Sequence, residues 1–228
     1  MNLLMPDAGE GPFPVLLLLH GLGGAYDSYV RSNNIENLLR GRSVLAVMPD
    51  GGRSFYANDM RPGGMRYEDH ILQDVLGYIE RTFPVRRDRL GRAVVGISMG
   101  GYGAFLLALR HPDLFGAVAS IAGSTYFAHE PSERHKEDDV GYLAAALPRE
   151  ANDLFCLAER YAHSGLPLAI RQSCGREDFL YETNLAFHRH LEALGIAHTW
   201  VEHAGAHDQT TWDAQLPLAI EFVCQHLA

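Results

Sequence analysis

The sequence predicts an α/β fold: a mostly parallel sheet of about six strands plus an N-terminal stub, with helices on both faces. Three observations predict it. Six short apolar runs alternate with helical patterns along the chain, an order that calls for a parallel sheet with crossover helices. Runs such as VLLLL are apolar at consecutive positions, as in strands buried on both faces. And 228 residues, 47% hydrophobic and 21% charged, suit one domain whose core needs no metal or disulfide.

The elements follow in order. Val15–His20 (VLLLLH) is the first run and ends in a Gly-rich turn; an amphipathic stretch covers Ser28–Arg40. Ser43–Met48 is the second run, stopped by Pro49. A helix is expected over Tyr67–Phe83, where Ile71, Val75, Leu76 and Ile79 fall at helical spacing. Ala93–Ile97 leads into a helix from Met99 to Arg110, and Ala117–Ile121 follows. A helix over Ala151–His163 precedes the run Pro167–Ser173, and another covers Tyr181–Leu194. His198–Glu202 is the last strand and Thr210–His226 the last helix. One composition shift interrupts this single domain, at Ser124–Arg149. Its charged run Glu130–Asp139 (EPSERHKEDD) is expected to be solvated and mobile. Its apolar patch Val140–Leu147 is expected to lean over a site as a small cap insertion. In such sheets ligands bind beyond the carboxyl ends of the strands, so the chemistry is expected just after the runs.

Charge and composition remove several function classes. The net charge is −9, with 19 basic against 28 acidic residues, and no basic stripe is present. No nucleic acid and no membrane surface is expected as a partner. Lys136 is the sole lysine and lies in the charged run, which argues against Schiff-base chemistry. The three cysteines, Cys156, Cys174 and Cys224, form no C-x-x-C pair; this suits a reducing, cytoplasmic location. No basic start, signal peptide or membrane-length apolar stretch is seen.

Residues 96–100 read G-I-S-M-G. A nucleophile on a strand-to-helix turn adopts strained backbone angles, and glycines two residues to either side remove the Cβ atoms that would clash there. Such a word arises by chance about 0.1 times in a chain of this composition, so its context carries the weight: it joins the run AVVGI to a helix rich in small residues. Ser98 is therefore the candidate nucleophile. It needs a base, and of twelve histidines His207, in HAGAHD between the last strand and last helix, is best placed. His203 directly ends its strand. His20 ends another beside the Gly-rich turn, His111 precedes a proline, and His188 and His190 are expected on a solvated helix face. Asp178, in SCGREDF after the sixth element's strand, is the candidate orienting acid in the chain order Ser, Asp, His; Glu177 is its alternative. Two backbone N–H groups should face the developing oxyanion. Met99, at a helix N-terminus, is one; Leu22, in the turn H-G-L-G-G, is the other.

The words LLLLHGLGGAYDSY, PDGGRSFYAND, GISMGGYGAFLLALRHPDLFGAVASIAGS, CGREDFLYETN and GAHDQTTWDAQL resemble the esterase D group of α/β-hydrolases, which includes S-formylglutathione hydrolases and tributyrin-type esterases. The resemblance runs from about residue 15 to the C-terminus. It implies the α/β-hydrolase fold, with Ser98 as nucleophile, Asp178 as acid, His207 as base, and Leu22 and Met99 as oxyanion donors. Two departures stand out. The aromatic that usually follows the His-Asp pair is replaced by Gln209, with Trp212 later. Of the family's N-terminal hairpin only Met1–Pro6 remains, so one sheet edge is expected to be short, or the start lies upstream.

The expected activity is a serine carboxylesterase working through an acyl-enzyme, with no metal or organic cofactor. About 45 residues separate Ile121 from Pro167, room for a small cap only, which implies short acyl chains, acetyl to butyryl. Tyr56, Tyr126 and Phe127, with Phe55, are the expected pocket aromatics. The alternatives are an S-formylglutathione thioester hydrolase and a feruloyl or acetyl-sugar esterase; outside enzymes, a non-catalytic binding protein of this fold. The expected partner is a small-molecule ester, with a homo-oligomer left open. A dinucleotide site is disfavoured, since Gly21 and Gly23 fit G-x-G but Tyr26 takes the third glycine. His203 and His207 stand four apart with Gly205 between them and lack a third metal ligand.

Overall fold

The computed structural model describes residues 1–130 and 138–227. Residues 131–137, with Lys136 and most of the charged run, lie outside the described residues, and so does the expected mobility of that run.

Strand β1 (Asn2–Leu4) is followed by β2 (Val15–Leu19), the short helices α1 (Ser28–Asn33) and α2 (Ile35–Leu39), and β3 (Leu45–Met48). The expected helix over Tyr67–Phe83 is continuous but mixed: α3 (Tyr67–Asp69) and α4 (Leu76–Thr82) are joined by a π-helical stretch, His70–Val75. Then come β4 (Arg92–Ile97), α5 (Met99–Arg110), β5 (Ala117–Ile121), α6 (Asp139–Ala146), α7 (Arg149–Asn152) and α8 (Leu154–Ala162). The chain closes with β6 (Ala169–Gly175), α9 (Tyr181–Ala193), β7 (Thr199–His203) and α10 (Gln209–Gln225).

The sheet order is β1-β3-β2-β4-β5-β6-β7. Strands β2 to β7 pair in parallel, and β1 adds a short antiparallel edge, Asn2 opposite Met48. The run VLLLL divides its side chains between two cores. Val15, Leu17 and Leu19 join α5, Phe55 and Phe127 on one face. Leu16 and Leu18 join Tyr29 of α1, Ile35 of α2 and Leu216 and Ile220 of α10 on the other. Burial on both faces is why the run is continuously apolar. From β2 the chain passes to β3 on one side and returns to β4 on the other. The carboxyl ends of β2 and β4 thus flank the topological switch, where open α/β sheets form their crevice.

Helix α5 is buried along Met99–Leu109 and presses hard on these strand ends. A Cβ on Gly100 would lie 1.9 Å from the Leu19 carbonyl oxygen, and one on Gly96 would lie 2.0 Å from the Gly100 carbonyl oxygen. Only glycine permits either approach. At the far end of α5, buried Glu68 accepts hydrogen bonds from Arg110 and, at 2.7 Å, from His111, fixing α3 to the helix terminus.

One expectation is corrected: His188 and His190 are half-buried rather than on a solvated face. His188 stacks on Trp200 (5.1 Å, 9°) and bonds His198, while His190 packs on Phe155; α9 lies against the end of the sheet and α8, so its histidines fill gaps between elements. The described end of the charged run is exposed, as expected, and is also engaged. Asp138 caps α6, and Asp139 receives a two-pronged hydrogen bond from Arg53 at 2.7 and 2.8 Å, which ties α6 to the loop after β3.

Gly100→Ala tests the close approach. The added methyl meets backbone rather than a movable side chain, so it should destabilise the protein by at least about 3 kcal/mol, measured by urea unfolding. A loss below about 1 kcal/mol would contradict that reading.

Candidate active site

The turn between β4 and α5 holds Ser98 at φ 57°, ψ −116°, a conformation an L-residue keeps only when its surroundings enforce it. They do so through backbone bonds. The Ser98 N–H donates to Ile121 O (2.9 Å), and the Ser98 carbonyl accepts from Tyr102 N (3.1 Å) and Ser124 N (3.2 Å). The Ser98 side chain does not cap α5, so its hydroxyl is directed elsewhere and the first-turn N–H groups, Met99 among them, lack a capping side chain.

The hydroxyl meets His207. Ser98 Oγ lies 2.9 Å from His207 Nε2, and His207 Nδ1 lies 2.7 Å from Asp178 Oδ2. A carboxylate only accepts, so Nδ1 carries the proton and Nε2 is free to accept from the serine. Asp178 is buried at the end of β6, its second oxygen accepting from Leu180 N (2.8 Å). The carboxylate is therefore pinned at both oxygens. His207 sits between two aromatic rings, Phe179 at 4.6 Å and Trp212 edge-on at 5.1 Å. Asp208 instead caps α10, accepting from Thr211 N (2.9 Å), and Glu177 accepts from Gly205 N (2.5 Å), holding the histidine loop.

Ser98 opens into a cavity of about 880 Å³, near the upper end of ligand sites and larger than a short acyl chain needs. Its lining combines an apolar set, Phe55, Tyr126, Phe127, Val140 and Ala144, with a polar set from α1 and α10, Ser28, Ser32, Asn33, Gln209 and Trp212. Phe55 and Phe127 stack face to face at 3.5 Å with Tyr102 edge-on behind them, a rigid apolar surface. Leu22 also lines the cavity. Gly21 lies so close that a Cβ there would be 3.5 Å from Ser98 Cβ, which places the turn directly over the serine.

Tyr56 is a correction: it does not line the cavity. Phe55 and Tyr56 both adopt positive φ (53° and 60°), and this turns Tyr56 inward. It is fully buried against Gly51 and Gly103, and its hydroxyl donates to His20 O (3.0 Å). Phe55 takes the cavity position instead.

Sequence reasoning passed over His20. It is buried, its Nδ1–H donates to Gly21 O (2.9 Å), and its Nε2 accepts from Gly51 N (2.9 Å). The ring thereby fastens the turn that carries Leu22 to the loop after β3. The Nδ1–H bond survives protonation, but the bond accepted by Nε2 needs the neutral imidazole. Burial lowers its pKa below the ordinary 6.5, outweighing the Gly21 hydrogen bond and the Asp50 charge. The α1 wall was passed over too, because serines and asparagines on a short helix read as a solvent face.

A serine whose proton is directed at a neutral imidazole, itself held by a buried carboxylate, can lose that proton while attacking a carbonyl carbon. Comparison with known proteins agrees in kind. The sequence profile of the Esterase family matches residues 1–222. An acetyl esterase of Caldicellulosiruptor saccharolyticus is 25% identical over 95% of this chain and 85% of its own length. Among solved structures, a fluorophosphonate-binding serine hydrolase of Staphylococcus aureus superposes with a TM-score of 0.83 at 27% identity, covering 97% of this chain and 91% of that one. An S-formylglutathione hydrolase from the same organism gives 0.82 at 27% identity with the same coverage.

His20 makes stability depend on pH. A histidine with a depressed pKa in the folded state adds stability above its unfolded value of 6.5, which is lost as pH falls and the unfolded chain takes up the proton. The thermal midpoint should drop between about pH 7 and pH 5, and His20→Gln should shrink that drop. An equal drop in the variant would remove His20 from the account.

Proposed function

The chain belongs to the Esterase family of the α/β-hydrolase fold and is a carboxylic ester hydrolase of the serine type; from that premise we propose that Ser98, His207 and Asp178 are its catalytic triad and short acyl esters its substrates. The observation that carries the proposal is the unbroken relay of 2.9 and 2.7 Å from Ser98 through His207 to Asp178.

In this mechanism His207 Nε2 takes the Ser98 proton as Oγ attacks the ester carbonyl carbon. Asp178 holds the imidazole tautomer and stabilises the imidazolium that forms. The N–H groups of Leu22 and Met99 receive the tetrahedral oxyanion. Collapse expels the alcohol, which takes its proton from His207. Water, deprotonated by the same ring, then releases the acid from Ser98. No residue of the relay calls for a cofactor.

The acyl group lies against Phe55 and Phe127, whose stacked rings limit the depth available. The described parts of the segment, residues 124–130 and 138–149, act as a small cap within one domain: Val140, Gly141 and Ala144 of α6 line the cavity. The three cysteines are unpaired, which supports a reducing, cytoplasmic setting. Among the described residues no helix is long and apolar enough to cross a membrane.

Ser98→Ala should lower kcat/KM for p-nitrophenyl acetate by about 10⁴-fold or more without loss of folding. Asp178→Asn should cost about 10⁴-fold in kcat, because the amide favours the wrong tautomer, whereas Glu177→Gln should change it little. A crippled Glu177→Gln with an active Asp178→Asn would reassign the acid. Along a p-nitrophenyl ester series, kcat/KM should be highest from acetyl to butyryl and fall at octanoyl, by about 1–3 kcal/mol per unfavourable methylene at most. A maximum at long chains would contradict the apolar wall as the limit.

A further inference from the structure

The cavity exceeds what a short acyl group fills, which leaves room for a leaving group. The leaving oxygen must come within hydrogen-bond reach of His207 Nε2, which protonates it. Helix α10 begins two residues after His207, so the alcohol leaves along the wall made by α10 and α1. That wall and the acyl wall come from opposite faces of the sheet: Tyr29 and Leu216 belong to one core, Phe55, Phe127, Val140 and Ala144 to the other.

The polar groups of the α1–α10 wall are oriented by one carboxylate. Asp213 Oδ1 accepts from Asn33 Nδ2 at 2.9 Å and from Gln209 Nε2 at 2.8 Å. The second Gln209 proton goes to Ser32 O at 3.3 Å. A carboxylate cannot donate, so both amides must turn their NH₂ groups toward it. The amide carbonyl oxygens, Gln209 Oε1 and Asn33 Oδ1, then accept no hydrogen bond among the described residues. Ser28 Oγ accepts from Ala25 N (2.9 Å) and keeps its own proton to donate. The wall thus offers two amide acceptors, the hydroxyls of Ser28 and Ser32 and the Trp212 Nε1–H, unpartnered among the described residues, a mixed set matched by O–H groups, which both donate and accept. Its charge points the same way. Glu130 lines the cavity, no arginine or lysine does so among the described residues, and Asp213 stands behind the wall. An anionic thiol such as glutathione would find no arginine or lysine among the described lining residues.

Resting on the triad assigned above, we propose that the leaving group is an uncharged alcohol bearing further hydroxyls, which donate to Gln209 Oε1 and Asn33 Oδ1. Gln209 is then a specificity-determining residue at the position where the resembling family carries an aromatic.

The test keeps the acyl group constant. Glycerol monoacetate and propyl acetate give the same acetyl-enzyme and differ only in the hydroxyls of the leaving alcohol. The wild-type protein should favour glycerol monoacetate in kcat/KM by about tenfold or more, the worth of one or two neutral hydrogen bonds. Gln209→Leu should reduce that ratio about tenfold. A reduced folded fraction cancels in the ratio, so misfolding cannot imitate the result. Equal kcat/KM for the two esters, a ratio unmoved by Gln209→Leu, or S-formylglutathione turned over faster than glycerol monoacetate would each overturn the inference. If neither acetate is hydrolysed, the triad assignment fails first and takes this inference with it.

Discussion

The site depends on how closely α5 approaches the ends of β2 and β4. Gly96 and Gly100 let backbone meet backbone there, and the turn between them has no room to relax. Ser98 keeps its left-handed φ because Ile121, Tyr102 and Ser124 hold its backbone from three directions. The strain is small beside the buried core that enforces it, since nearly every side chain of α5 lies inside. What the strain achieves is direction. The hydroxyl is kept off the helix terminus and delivered to His207, and the free N–H groups of that terminus remain beside it.

The rest of the cavity is assembled from both faces of the sheet. One face supplies an apolar wall of stacked aromatics and helix α6; the other supplies polar side chains, Asn33 and Gln209 among them, oriented by Asp213. Between them, His20 and Tyr56 fasten the turn after β2 to the loop after β3 through hydrogen bonds in which His20 uses both ring nitrogens and its own carbonyl. A chemically silent pair of residues thus positions the turn that carries Leu22. Burial explains both the value of that pair and its cost: the ring must stay neutral, so acid weakens the fold at the same point where it holds the site.

How much of this was legible in the sequence follows from what each residue's neighbours reveal. Ser98, Asp178 and His207 each stand in a short word just past an apolar run, and parallel topology brings strand ends together, so local words sufficed to nominate residues that meet in space. The parallel sheet itself was legible from continuous apolar runs. The π-helical stretch at His70–Val75 was not, because its apolar positions repeat almost as an α-helix does. Tyr56 and Phe55 are adjacent aromatics, and what sends Tyr56 inward, a positive φ at both residues and the space beside Gly51 and Gly103, is not written in the local word. His188 and His190 fell on a helix whose polarity suggests solvent, yet the ring stacking on Trp200 and Phe155 depends on neighbours distant in the chain. The wall of Ser28, Ser32, Asn33 and Gln209 was hidden for the same reason, since its order comes from Asp213, about 180 residues from Asn33.

The central claim, that Ser98 is the nucleophile activated by His207, is tested most directly by covalent trapping. A phosphonate ester reacts only with a nucleophile activated for acyl transfer, and it leaves a stable adduct whose site is read by peptide mass spectrometry. The account predicts a single adduct per chain, on Ser98, formed in step with loss of esterase activity and slowed by several orders of magnitude in His207→Ala. An adduct on another residue, or complete inactivation with Ser98 unmodified, would contradict it.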